Sequence, residues 1–101
     1  EADVIALVSP VYYFALTAQL KTVIDRFYSR TYDINGKQSV LLAAGSNTAL
    51  TMRSITKHYE TLAGYMHWQD RGRVLAPGCP TREAIAKTEY PQKAFELGMS
   101  L

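Results

Sequence analysis

The chain has one cysteine, Cys79, among 101 residues, so it cannot close a disulfide on itself. A lone cysteine also cannot hold an iron–sulfur cluster. His58 and His67 are its only histidines, and they sit among helical residues without a carboxylate cluster at ligand spacing, which argues against a metal centre or a nucleophilic triad. Charge of one sign is scarce too: 11 basic against 9 acidic residues leave a net of only +2. Lys21, Arg26, Lys37, Arg53, Arg71 and Arg82 are scattered and form no run, so a nucleic-acid surface is not expected. No window approaches the roughly 18 uncharged apolar residues of a membrane span. No signal peptide is visible, and a reducing cytoplasm is the expected compartment. Repeats, linkers and low-complexity segments are absent as well.

What the chain does have is apolar residues, 48% of the total, arranged in short blocks. Val4-Ile5-Ala6-Leu7-Val8 shows no polar alternation, which suits a strand covered on both faces, as in parallel sheets flanked by helices. Ser9-Pro10 stops it. Leu16, Leu20, Val23, Ile24 and Phe27 then recur at helical spacing, predicting a helix from about 16 to 29 with one apolar stripe. Asn35-Gly36 marks a turn, and Ser39 to Ala43 reads as the next buried strand.

Ser46, Asn47 or Thr48 is placed to cap a second helix with Met52, Ile55, Tyr59, Leu62, Ala63 and Met66 facing inward. Arg73 to Ala76 reads as a third strand, closed by Pro77-Gly78-Cys79-Pro80. Gln92 to Met99, with Pro91 near its first turn, reads as a last helix. Alternating strand and helix favours an α/β fold around a parallel sheet.

In such sheets ligands settle beyond the carboxyl ends of the strands. Two loops lie there. Ser9, Pro10, Val11, Tyr12 and Tyr13 form the first, in which Val11 and Tyr12 offer surface for a flat ring and the Tyr12 and Tyr13 N–H groups are open to its edge. The plainer alternative is a strand-to-helix turn with two packing tyrosines. Ala44, Gly45 and Ser46 form the second, where the absence of a side chain at Gly45 permits close approach, or simply serves packing. Cys79 reads as a small buried residue, Asp25-Arg26 as an ion pair or helix surface, and Trp68 as core or partner contact.

The block Val8-Ser-Pro-Val-Tyr-Tyr13, followed by Leu20-Lys21 and Ile24-Asp25-Arg26, resembles the middle of flavodoxin-like NAD(P)H-dependent FMN reductases and their iron–sulfur flavoprotein and multimeric flavodoxin relatives. Gly36-Lys37, Ala43 to Ser46 and Ala94 to Gly98 extend the likeness over nearly the whole chain. The resemblance implies a flavodoxin-like doubly wound parallel sheet, with residues 1–101 as the C-terminal part of one domain that lacks the first strands and the phosphate loop. It implies FMN held by the two loops, weakly if at all in this chain, with NADPH or NADH as co-substrate. A quinone or flavin would be the acceptor. A homo-oligomer is expected, and the strand Val4 to Val8 would stand at an unpaired edge. Two rival readings are a flavodoxin-type electron carrier and a flavin-free interaction domain.

Overall fold

The computed structural model describes residues 3–46 and 48–101, Thr51 by its backbone alone. Asn47, one of the expected helix caps, lies outside them. Strands β1 (Val4–Pro10), β2 (Gln38–Ala44) and β3 (Gln69–Ala76) form a parallel sheet in the order β1-β2-β3. Helices α1 (Ala18–Asp25), α2 (Thr31–Ile34), α3 (Arg53–Tyr65), α4 (Arg82–Ala86) and α5 (Tyr90–Ser100) connect and cover the strands. No described helix is long and apolar enough to cross a membrane.

The expected apolar stripes build the core on one face. From α1, Leu20 and Ile24 pack down, and from α3, Ile55, Tyr59 and Ala63 recur every fourth residue onto Leu7, Leu41 and Ala43. Ile55 and Leu41 are completely buried, each worth roughly 1.5–3 kcal/mol of apolar transfer. Trp68 closes the lower end of this core. Its indole N–H donates to the Ile34 carbonyl at 2.7 Å, and its ring meets Phe27 edge-on at 6.1 Å.

The helices begin and end differently from the sequence reading. Leu16 precedes α1, because Thr17 is its cap and accepts the Leu20 N–H at 3.2 Å. The helix tightens into a 3₁₀ segment over Arg26–Arg30 before α2. Asp25 pairs with Lys21 one turn back, not with Arg26. Neither Ser46 nor Thr48 caps α3, which is entered through a 3₁₀ turn at Leu50–Met52 with no side-chain cap. Helix α4 was not expected; it is five residues long and capped by Thr81.

Strand β3 starts four residues before the expected Arg73, at Gln69. Pairing of Ser39 with Asp70 and Leu41 with Arg73 leaves Arg71 and Gly72 opposite Val40 alone, a bulge. Asp70 holds it. Its carboxylate accepts the Gly72 N–H at 2.9 Å, the Tyr59 hydroxyl at 3.0 Å and Arg73 at 2.7 Å. Burial opposes ionisation of Asp70, yet these donors keep its carboxyl below the usual range. Ser39, fully buried, lies 2.7 Å from the Tyr59 hydroxyl, and Arg73 reaches Glu60 at 3.0 Å and covers the Tyr59 ring. Burial, first of all, pushes the Tyr59 hydroxyl up to about 12. Gly72 has φ +138°, and a Cβ there would stand 2.9 Å from Leu97 Cδ1, so this glycine lets α5 approach the second face.

That second face departs most from expectation. Val4 to Val8 reads as covered on both sides, but Ala6 and Pro10 are exposed and Val8 is 63% exposed. Helix α5 packs against β3, at the far side of the sheet, and leaves β1 uncovered among the described residues. Val8, Leu42 and Val74 face Tyr90 and Ala94 across an apolar cleft of about 300 Å³.

Candidate functional site

All three strands run the same way, so the loops after β1, β2 and β3 meet at one rim. Ser9 anchors the first. Its side chain is buried, donates to the Pro10 carbonyl at 2.7 Å and accepts the Thr17 N–H at 3.1 Å, joining the end of β1 to the start of α1. Between those points the chain makes a two-residue turn. Tyr12 and Ala15 exchange N–H···O bonds at 3.1 Å, and Tyr13 and Phe14 at the tip have φ of +48° and +67°. Paired positive φ is the geometry of a type I′ turn, usually supplied by Asn-Gly. Two aromatic residues there store backbone strain that the surrounding bonds must hold.

The turn aims its tip at the second loop. Val11, Tyr13, Phe14 and Ser46 line a hollow of about 320 Å³. Val11 is buried and forms the floor, with its N–H bonded to the Ala44 carbonyl at 2.9 Å. Tyr13 is 97% exposed and Phe14 48% exposed, so both rings are available to a ligand. Their N–H groups make no hydrogen bond within the described residues. Aliphatic and aromatic surface beside unused backbone donors suits a flat ring with acceptors at its edge.

The sequence-predicted residues divide between several places. Val11, Tyr13 and Ser46 come together in the hollow, joined by Phe14, which sequence reasoning did not single out. Tyr12 is exposed outside the hollow, and its N–H, expected to be free, is spent on Ala15. Ser9, Pro10 and Ala44 line the apolar cleft on the other side. Gly45 is held from both directions: its N–H donates to the Ala76 carbonyl at 3.1 Å, and its carbonyl accepts the Cys79 N–H at 2.7 Å. Cys79 is buried, with its thiol 3.4 Å from the Pro77 carbonyl. No group of His, Cys, Asp or Glu among the described residues is arranged to hold a metal.

Comparison with known proteins bears on the family and the fold. The sequence model described as NADPH-dependent FMN reductase matches residues 1–78. A solved structure described as a Trp repressor binding protein from Bacillus subtilis superposes with a TM-score of 0.81 at 20% identity, covering 95% of this chain and 63% of that one. Another, a flavodoxin, WrbA-like protein from Agrobacterium tumefaciens, gives 0.60 at 17% identity, covering 67% of this chain and 45% of that one. The chain therefore spans less than two thirds of the length of either structure. At these identities the likeness establishes the flavodoxin-like fold. No curated protein matches the sequence.

Proposed function

Because the chain belongs to the NADPH-dependent FMN reductase family, we propose that it forms the ring-binding part of an FMN-dependent oxidoreductase. The whole protein takes hydride from NADPH or NADH and passes electrons to a quinone or flavin. The observation that carries this reading is the single hollow to which the strained turn brings Tyr13 and Phe14 and the second loop brings Ser46. FMN, when bound, supplies the redox chemistry. The residues supply position: Val11 a floor, Tyr13 and Phe14 walls that exclude water, and their N–H groups donors for the ring edge. No side-chain acid or base is needed in this scheme.

The phosphate is a separate matter. The described residues that line the hollow, Val11, Tyr13, Phe14 and Ser46, include no basic side chain to hold it. Losing roughly three charge-assisted hydrogen bonds of about 1.5–3 kcal/mol each predicts weak FMN binding by the isolated chain. For this chain by itself we also infer a cytoplasmic homo-oligomer, since β1 has no second strand beside it among the described residues.

The test uses the full-length protein. It should purify with flavin absorbance and oxidise NADPH or NADH, and Phe14→Ala should weaken FMN binding while Cys79→Ser leaves it intact. A colourless protein that neither binds FMN in a fluorescence titration nor oxidises either nucleotide would overturn the proposal.

A further inference from the structure

The segments that lead into β2 and β3 meet at the end of the sheet opposite the rim. There the Gly36 N–H donates to the Met66 carbonyl at 3.0 Å, and the Trp68 indole bond to Ile34 adds a second tie. Asn35 and His67 are thereby fixed on either side of one joint. Helix α3 ends at Tyr65, and His67, just past its cap, has φ +54°, a left-handed position more often given to glycine. At about 3.3 Å per residue, the seven residues of β2 put roughly 20 Å between this joint and the ring hollow.

Around the joint lies a hollow of about 470 Å³, larger than the ring hollow, lined by Tyr28, Thr31, Tyr32, Asn35, Tyr65 and His67. All three tyrosines are exposed, Tyr32 by 98%. Thr31 is spent on the Tyr28 carbonyl at 2.9 Å. The three phenol hydroxyls, the Asn35 amide and the His67 ring make no hydrogen bond among the described residues. No Lys, Arg, Asp or Glu lines this hollow. A second hollow of about 310 Å³ continues from it through Tyr28, Thr31 and Tyr65, and adds apolar surface from Ile24, Leu62 and Met66. Its one carboxylate, Asp25, is paired with Lys21. The result is a trough, aromatic and rich in unused donors at one end and apolar at the other.

We propose that this trough docks an extended, proline-rich segment of a partner protein. Charge complementarity removes several other occupants. A phosphate or carboxylate would find no cation in the lining, and a basic segment would find no unpaired carboxylate. A docked helix satisfies its own carbonyls and would leave the five polar side chains without partners, and a docked strand needs a sheet edge, which the trough lacks. A polyproline helix is the converse case. It has no internal hydrogen bonds, its prolines donate none, and its carbonyls accept. Phenol, amide and imidazole donors suit those carbonyls, and tyrosine rings suit the pyrrolidine faces. An apolar residue one turn further along, about 9 Å away, reaches the second hollow.

The experiment titrates the full-length protein with a polyproline peptide by calorimetry. Saturable binding is expected, and a Gly-Ser peptide of equal length should not bind. Tyr28→Ala/Tyr65→Ala should weaken the polyproline complex about ten-fold or more, as at an aromatic hot spot. Tyr28→Phe/Tyr32→Phe/Tyr65→Phe keeps the rings, removes three donors and should weaken it by about ten-fold as well. Because these side chains are exposed, the denaturant midpoint of both variants should stay level. Flavin content and NADPH oxidation should also match the wild type, which separates this site from the ring hollow. Absence of saturable binding at millimolar polyproline overturns the proposal, as does equal binding of the Gly-Ser peptide or wild-type affinity in the alanine variant. Wild-type affinity in the phenylalanine variant overturns the match of donors to carbonyls on which the choice of proline rests. Binding of maltose, an uncharged sugar, in place of the peptide would assign the hollow to a small ligand and overturn the proposal too.

Discussion

Tyr13→Gly should make the protein more stable while making it a poorer flavin binder. Tyr13 is 97% exposed and holds φ at +48°, so its side chain contributes almost no burial while its backbone occupies the left-handed region. An L-residue held there costs about 1–2 kcal/mol, which glycine avoids. Glycine's greater freedom in the unfolded chain takes back about 0.4–1 kcal/mol. The difference is a net gain of about 0.5–1 kcal/mol. For a domain of this size that corresponds to a rise in Tm of about 2–8 °C. Urea titration should show a higher midpoint with an unchanged slope. Tyr13→Ala is the control, since it removes the ring but keeps the strain; its midpoint should not rise. In the full-length protein both variants should release FMN more readily, having lost a wall of the hollow. A lower midpoint for Tyr13→Gly would refute the idea that the turn stores strain for the site.

Other outcomes follow from the bulge and its polar network. Gly72→Ala should destabilise by about 1–3 kcal/mol, because a Cβ at φ +138° is strained and would stand 2.9 Å from Leu97; Leu97→Ala should relieve the contact without restoring full stability, as denaturant midpoints would show. Tyr59 has its hydroxyl pushed up to about 12, so its stabilising effect is complete below the ordinary value of about 10 and is lost as pH rises from there. Tyr59→Phe should remove that alkaline loss, while costing about 1–3 kcal/mol at neutral pH by stranding Ser39. Asp70, held below the usual carboxylate range, contributes above its ordinary value of about 3.9 and loses the contribution on acidification below it. Asp70→Asn should flatten the acid limb of the stability profile.

Apolar periodicity made most of the fold legible. Val4 to Val8 and Ser39 to Ala43 are unbroken apolar blocks or nearly so, and both lie within observed strands. The inward set of α3 was readable because Ile55, Tyr59 and Ala63 repeat every four residues. The first half of β3 was not, since Gln69 to Gly72 are polar or lack a side chain; what holds them in the sheet is Asp70 bonding to Tyr59, eleven residues earlier. At five residues, α4 is too short for periodicity to register. At the site, the residues that would carry a ring were legible through their position after a strand, but the turn was not. Tyr-Phe gives no hint of paired positive φ, because the bonds from Tyr12 to Ala15 impose that geometry against local preference. Exposure of Val8 was equally hidden, as an apolar run says that a strand prefers cover and not which neighbour supplies it.

The double hold on Gly45 constrains how a ligand enters and leaves. Its links to Ala76 and Cys79 join the second loop to the end of β3 and to the Pro77–Pro80 segment, so that side of the hollow can yield only if several backbone bonds break together. The turn at Tyr13 and Phe14 is closed by just two bonds and already sits in a costly conformation. It is therefore the compliant jaw facing a fixed one. Rings of different width would be accommodated by displacement of the aromatic tip, and the rate of their escape would be set by how readily that tip gives way.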